Sequence, residues 1–118
     1  MSYEYVVLPE GVVAAAGDVP SYVRAQQGIP VTANMLFVVH VLRMWNDELP
    51  VIHRHAVLHI EAAGNAVRVT PADSFDRRRT RSMAVDSAAA VIRRVLETAT
   101  RGLGYEIYDA ERQLLWVP

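Results

Sequence analysis

His53-Arg54-His55-Ala56-Val57-Leu58-His59-Ile60-Glu61-Ala62-Ala63-Gly64-Asn65-Ala66-Val67-Arg68-Val69-Thr70-Pro71 is the stretch whose reading decides the fold. Its hydrophobic period is two. His53, His55, Val57, His59 and Glu61 hold the odd positions and Leu58, Ile60 and Ala62 the even ones, which is the pattern of a half-buried strand. Gly64-Asn65 suits a two-residue hairpin loop of type II′, with positive φ at the glycine. With those residues as the loop, Ala63 faces Ala66, Ala62 faces Val67, Glu61 faces Arg68, Ile60 faces Val69 and His59 faces Thr70. Apolar side chains then pair on one face. Glu61 and Arg68 form an opposite-charge pair on the other, worth about 0.2–1 kcal/mol where exposed. Turn chemistry, alternation and charge agree on one register, and Pro71 closes the hairpin.

Upstream, Thr32 is an N-cap candidate for a helix over 33–48, which must stop before Pro50 because proline disfavours helical geometry in the residue before it. A strand competes for 34–45, since Leu36-Phe37-Val38-Val39-His40-Val41-Leu42 is rich in strand formers. Length and flanking signals favour the helix. Its apolar residues cover nearly every direction, so it needs cover on more than one side, from the short helix before it or from a second subunit. That short helix is predicted around Val19 to Gln27, capped by Asp18 with Pro20 in its first turn and stopped at Gly28 and Pro30. Tyr3 to Leu8 reads as a first strand ended by Pro9-Glu10-Gly11, and Val12 to Gly17 fits a helical turn or a loop.

Downstream, Ser82 or Asp86 can cap a long helix reaching Thr100. Ala88, Ile92, Val95, Leu96 and Ala99 lie on one side, and Arg93, Arg94, Glu97 and Arg101 largely on the other. Gly102 and Gly104 supply its exit. Tyr105 to Tyr108 and Gln113 to Val117 then form a second hairpin around Asp109-Ala110-Glu111-Arg112. The expected order is β-α-α-β-β-α-β-β. It describes a single α+β domain over 1–118, an antiparallel sheet with helices on one face, for which ferredoxin-like packing is one topology.

The segment Gly102-Leu103-Gly104-Tyr105-Glu106-Ile107-Tyr108-Asp109-Ala110-Glu111-Arg112-Gln113-Leu114-Leu115 resembles the ending of small uncharacterised actinobacterial proteins. These close with a helix, a Gly-Leu step and a Tyr-Asp-Pro-Gln hairpin. Met1-Ser2-Tyr3 and Ser82-Met83-Ala84 are also similar, while Ala110-Glu111 stands where the pattern has Pro-Gln. The resemblance implies a small α+β fold and brings no catalytic residue with it.

Composition narrows the classes of function. The chain has 118 residues, 52% hydrophobic and 21% charged, which is the make-up of one globular domain with a real core. A net charge of −1 gives no overall attraction to nucleic acid or anionic membrane. With no cysteine there is neither a disulfide framework nor a thiolate ligand, so histidine and carboxylate are the strong metal ligands left. The acidic N-terminus does not resemble a secretory signal, and a cytoplasmic location is the expectation. No stretch approaches the roughly 20 apolar residues of a spanning helix.

Two clusters could carry chemistry. On the histidine face, His53 with His55, or His59 with Glu61, could reach one ion if His40 or another acid helped. His55 and His59 are about 13 Å apart along an extended strand, so three imidazoles from this strand cannot converge. The ordinary reading is an exposed sheet face or a subunit interface. Arg77, Arg78, Arg79 and Arg81 could hold phosphates, with a log K against log salt slope of about −3 to −4 if all four took part. Asp73, Asp76 and Asp86 flank them, and no aromatic platform is interleaved, so a solvated loop is the ordinary reading. Tyr3, Tyr5, Tyr105, Tyr108 and Trp116 fall on expected outer parts of the sheet, where they would pack or line a small cleft.

No nucleophile-base spacing or phosphate-cradling glycine loop is present, so catalytic residues stay unassigned and the balance leans against an enzyme. The expectation is a non-enzymatic interaction or accessory protein, self-associating as a homodimer through the open sheet face or the apolar helix 33–48. No cofactor or metal is assigned. The first alternative is a small metal-dependent or small-molecule-binding enzyme using His53, His55, His59 and Glu61, with Arg68 on the same face. The second is phosphate or nucleic-acid binding through Arg77 to Arg81.

Overall fold

The chain folds as strand β1 (Tyr5–Pro9), helices α1 (Val12–Ala16), α2 (Val19–Ala25) and α3 (Ala33–Glu48), strands β2 (Leu58–Ala63) and β3 (Ala66–Pro71), helix α4 (Met83–Thr100), and strands β4 (Tyr105–Asp109) and β5 (Leu114–Trp116). The computed structural model describes residues 4–16, 18–48, 58–71 and 83–118, with the side chains of residues 16, 71, 83–89 and 91 outside that description. Residues 34–45 are helical, and Val12–Ala16 is a helix of its own, which adds one element to the expected order.

The five described strands join one sheet of order β2-β3-β1-β4-β5, and each of their pairings is antiparallel. The β1-α3-β2-β3-α4-β4 path through that order is the split βαβ connection of ferredoxin-like proteins, with β5 added outside β4. The β2–β3 register is the one expected around Gly64-Asn65, from Ala63 opposite Ala66 to Glu61 opposite Arg68 and His59 opposite Thr70. Gly64 takes φ +51 and Asn65 is not among the positive-φ residues, the sign pattern of a type II′ turn. A Cβ on Gly64 would meet Gln26 Oε1, so a larger residue would displace that side chain of the α2–α3 connection as well as strain the positive φ. That connection clamps the hairpin tip: Gly64 N donates to Ile29 O, Thr32 N donates to Gly64 O and Asn65 N donates to Gln26 Oε1. Thr32 caps α3 as expected, its hydroxyl accepting from Met35 N at 3.3 Å.

Two corrections concern β1. Tyr5 was expected on an outer part of the sheet, yet β1 is the middle strand. Tyr5, Val6, Val7 and Leu8 are all at most 2% exposed, and a strand apolar on both sides is stable only when both sides are covered. The helices therefore do not all lie on one face. The long helices do: Met35, Val38, Val39 and Leu42 of α3 and Ile92, Val95, Leu96 and Ala99 of α4 pack on Tyr5, Val7, Val67, Val69 and Ile107. The short helices cross to the opposite face, where Val12, Val13, Val19, Tyr22 and Val23 cover Val6, Leu8 and Ala66.

The two edges of the sheet are finished differently. At β2, Asn46 of α3 donates from Nδ2 to Leu58 O and accepts at Oδ1 from Leu58 N, both at 2.9 Å, so one side chain uses up the backbone groups of the strand's first residue. At β5, Leu114, Leu115 and Val117 stand exposed and no charged residue interrupts 114–118.

Candidate functional site

The α1/α2 face of the sheet gathers the polar side chains. Leu58 is buried, His59 exposed, Ile60 half-buried and Glu61 exposed, so the alternation read from the sequence holds through β2. Arg68 of β3 stands opposite both Glu61 and Val6, at a point where β2, β3 and β1 lie side by side. Its Nη2 donates to Glu61 Oε2 at 2.8 Å, and its Nε lies 3.9 Å from Glu4 Oε1. The side chains of Arg68, Glu61 and Glu4 are 41%, 69% and 39% exposed, so water screens both pairs and each is worth about 0–1 kcal/mol. The cluster fixes the position of the guanidinium more than it stabilises the fold.

Arg68 forms the shared wall of two adjoining hollows. A cleft of about 500 Å³ lies between α2 and the sheet, with Val6, Val19 and Val23 as its apolar floor and Glu4, Arg68 and Tyr108 at its mouth. A shallower one of about 340 Å³ continues past Val23 and Arg68 to Glu61 and Gln27. Asp18, Arg24 and Gln113 also reach the larger cleft. Asp18 is the N-cap of α2, and the Ser21 hydroxyl, helped by Ser21 N–H and Arg24, holds its carboxyl below the ordinary value against a smaller opposing effect of burial. Burial pushes the Tyr22 phenol up, with a smaller push from Tyr105. Glu106, also on this face and 3% exposed, accepts from Val13 N at 3.2 Å and so ties the start of α1 to β4. Gln113 has φ +55 in the β4–β5 turn, a position where glycine is the usual residue.

The expected site residues divide three ways. His59, Glu61 and Arg68 share a face, as read from the sequence. His53, His55, Arg77, Arg78, Arg79 and Arg81 lie outside the described residues. His40 sits on α3, across the sheet from His59 and Glu61, and does not join them. Among the described residues, no three of His, Asp and Glu come together as a metal site. Glu4 and Gln113 are not singled out by the sequence, and Tyr108, read there as packing or lining a small cleft, is not placed beside Arg68, because β1 and β4 reach Arg68 only through pairings between distant parts of the chain. What is assembled is a set of hydrogen-bonding groups around an apolar floor, which is equipment for holding a ligand.

A second surface lies on the outer side of α3. Leu36, Phe37 and Met44 are 55%, 54% and 46% exposed, and their spacing of seven or eight residues, with His40 between, places them along one side of the helix. Isolated apolar residues are normal on a protein surface, whereas a contiguous stripe marks a contact site. The short helix α2, one of the two covers the sequence offers for this helix, is on the opposite face of the sheet. Among the described residues no helix is long and apolar enough to cross a membrane. Comparison of the chain with known protein families, with curated proteins and with solved structures returns no match in any of the three.

Proposed function

We propose that this is a non-enzymatic interaction protein that self-associates through the outer side of α3. The observation that carries this reading is the stripe of Leu36, Phe37 and Met44, left open because α2 packs across the sheet from it. A two-fold contact would set this stripe against its own copy, and the flanking Arg43 and Asp47 would form the polar rim usual in such interfaces. Light scattering across a concentration series tests it. The wild-type chain is expected above the 13.1 kDa monomer mass, and Phe37→Glu should weaken association at this contact at least tenfold with an unchanged circular dichroism spectrum. A wild-type chain that stays at the monomer mass at every concentration would end this reading.

A second reading is favoured by the cleft beneath α2: binding of a small molecule whose apolar body lies on Val6, Val19 and Val23 and whose polar end meets Arg68 and Tyr108. Titration with an anilinonaphthalene sulfonate dye is the direct check. Saturable fluorescence that Arg68→Ala weakens and Phe37→Glu leaves alone supports the cleft. A response abolished by Phe37→Glu alone assigns the dye to α3 instead.

A further inference from the structure

We propose that β5 is a second association site, at which the outer edge of the sheet pairs antiparallel with β5 of another copy of this chain. The proposal goes beyond the α3 contact and does not depend on it. Among the described strands β5 is outermost with β4 as its neighbour, and the backbone groups on its other side suit another strand rather than a helix or a small ligand. The apolar residues of β5 face both sides: Trp116 is opposite Ile107 on the α3/α4 face, and Leu115 is opposite Tyr108 on the α1/α2 face. Leu114, Leu115 and Val117 remain 54%, 42% and 54% exposed, so among the described residues neither side is covered.

The contrast with β2 shows that this is not how every edge of the molecule is built. There the Asn46 amide consumes the Leu58 backbone groups, and His59 and Glu61 set polar side chains along the strand. Such features keep an edge from pairing, and among the described residues β5 shows none of them.

A second copy fits the sequence of β5. Antiparallel pairing about Leu115 places Leu115 against Leu115 on one face. On the other it sets Leu114 against Trp116 in both directions, and Gln113 meets Val117 at the ends. No charge falls within 113–117, so no like charges are opposed. Pro118, which has no N–H, limits the ladder to this short stretch. Arg93 already lies over the Trp116 ring at 4.6 Å from its centroid, so the indole is held in place before a partner strand arrives.

The test separates this contact from the one on α3. Phe37→Glu removes the α3 stripe and is expected to leave a dimer by light scattering. Adding Leu115→Lys should return the double variant to the monomer mass, with unchanged circular dichroism because Leu115 is a surface residue. In the Phe37→Glu chain, amide exchange within 114–117 should slow at least tenfold between dilute and concentrated samples. A monomeric Phe37→Glu variant overturns the β5 proposal while upholding α3. A Phe37→Glu dimer that is indifferent to Leu115→Lys, or one whose 114–117 amides exchange equally fast at all concentrations, also overturns the β5 proposal and gives α3 no support. Loss of association in Leu115→Lys alone would instead overturn α3 and leave β5.

Discussion

The two faces of the sheet are made by the same strands and treated oppositely. Toward α3 and α4 lie Tyr5, Val7, Val67, Val69 and Ile107, all at most 1% exposed, beneath long helices that bury Met35, Val38 and Leu42 from α3 and Ile92 and Leu96 from α4. Toward α1 and α2 lie Val6 and Leu8, but also Glu4, Glu61, Arg68 and Glu106, beneath helices of five and seven residues. Such short helices gain little from their own hydrogen bonds and hold their shape through packing and caps. One face therefore carries the stability of the domain. The other leaves clefts and charges where a ligand or partner can reach them.

The largest expected effect tests that division. Leu96→Ala opens a cavity among fully buried side chains and should cost about 2–5 kcal/mol, whereas Val23→Ala, half-buried at the wall of the cleft, should cost about 1 kcal/mol or less. Urea denaturation of both variants measures the difference. Equal losses would mean that the short helices share the stabilising role, and the contrast between the faces would fail.

How far this organisation could be read in advance depended on how far apart the paired residues lie. The hairpin register was legible because Gly64-Asn65, the alternation around it and the Glu61–Arg68 pair all fall within a dozen residues. The limits of α3 were legible from Thr32 and Pro50, and the buried side of α4 from the spacing of Ile92, Val95, Leu96 and Ala99. Strand order was not, because β1 meets β3 and β4 through pairings such as Val6 with Arg68 and Val6 with Tyr108, which no turn connects. The candidate site inherits that limit. Arg68 with Glu61 was visible, whereas Glu4, Tyr108 and the α2 wall come from elsewhere in the chain. The crossing of α1 and α2 to the other face did leave a signal: four consecutive apolar residues in β1 require cover on both sides. Of the expected histidine face only His59 falls among the described residues, exposed beside Glu61, and His40 proves to belong to the other side of the sheet.

Arg68→Ala sharpens the comparison at a smaller scale. The variant already serves as the ligand-binding control for the cleft, and its stability should fall by only about 0–1 kcal/mol, since both its carboxylate partners stay in water. A chemical denaturation curve displaced by more than that would show Arg68 to be a structural strut of the α1/α2 face. The outcome expected is loss of ligand response with stability nearly unchanged.

The smallest effect is a dependence on acid confined to the α2 side. Asp18 starts α2, and its carboxyl is held below its ordinary value of 3.8, chiefly by the Ser21 hydroxyl. A carboxyl depressed in the folded state binds its proton more readily when unfolded. Its contribution to stability is thus complete above the ordinary value and disappears as pH falls through the lower folded value. Asp18→Asn keeps a capping side chain but removes this titration. Melting temperatures of the two proteins should differ by a constant amount from neutral pH down to about pH 5, then converge as the solution becomes more acid. Hydrogen exchange should place the acid-induced loosening at 19–25 while the amides of α4 stay protected. Simultaneous loosening of α4 would show that the two faces unfold as one unit, and that the cleft cannot open without the core.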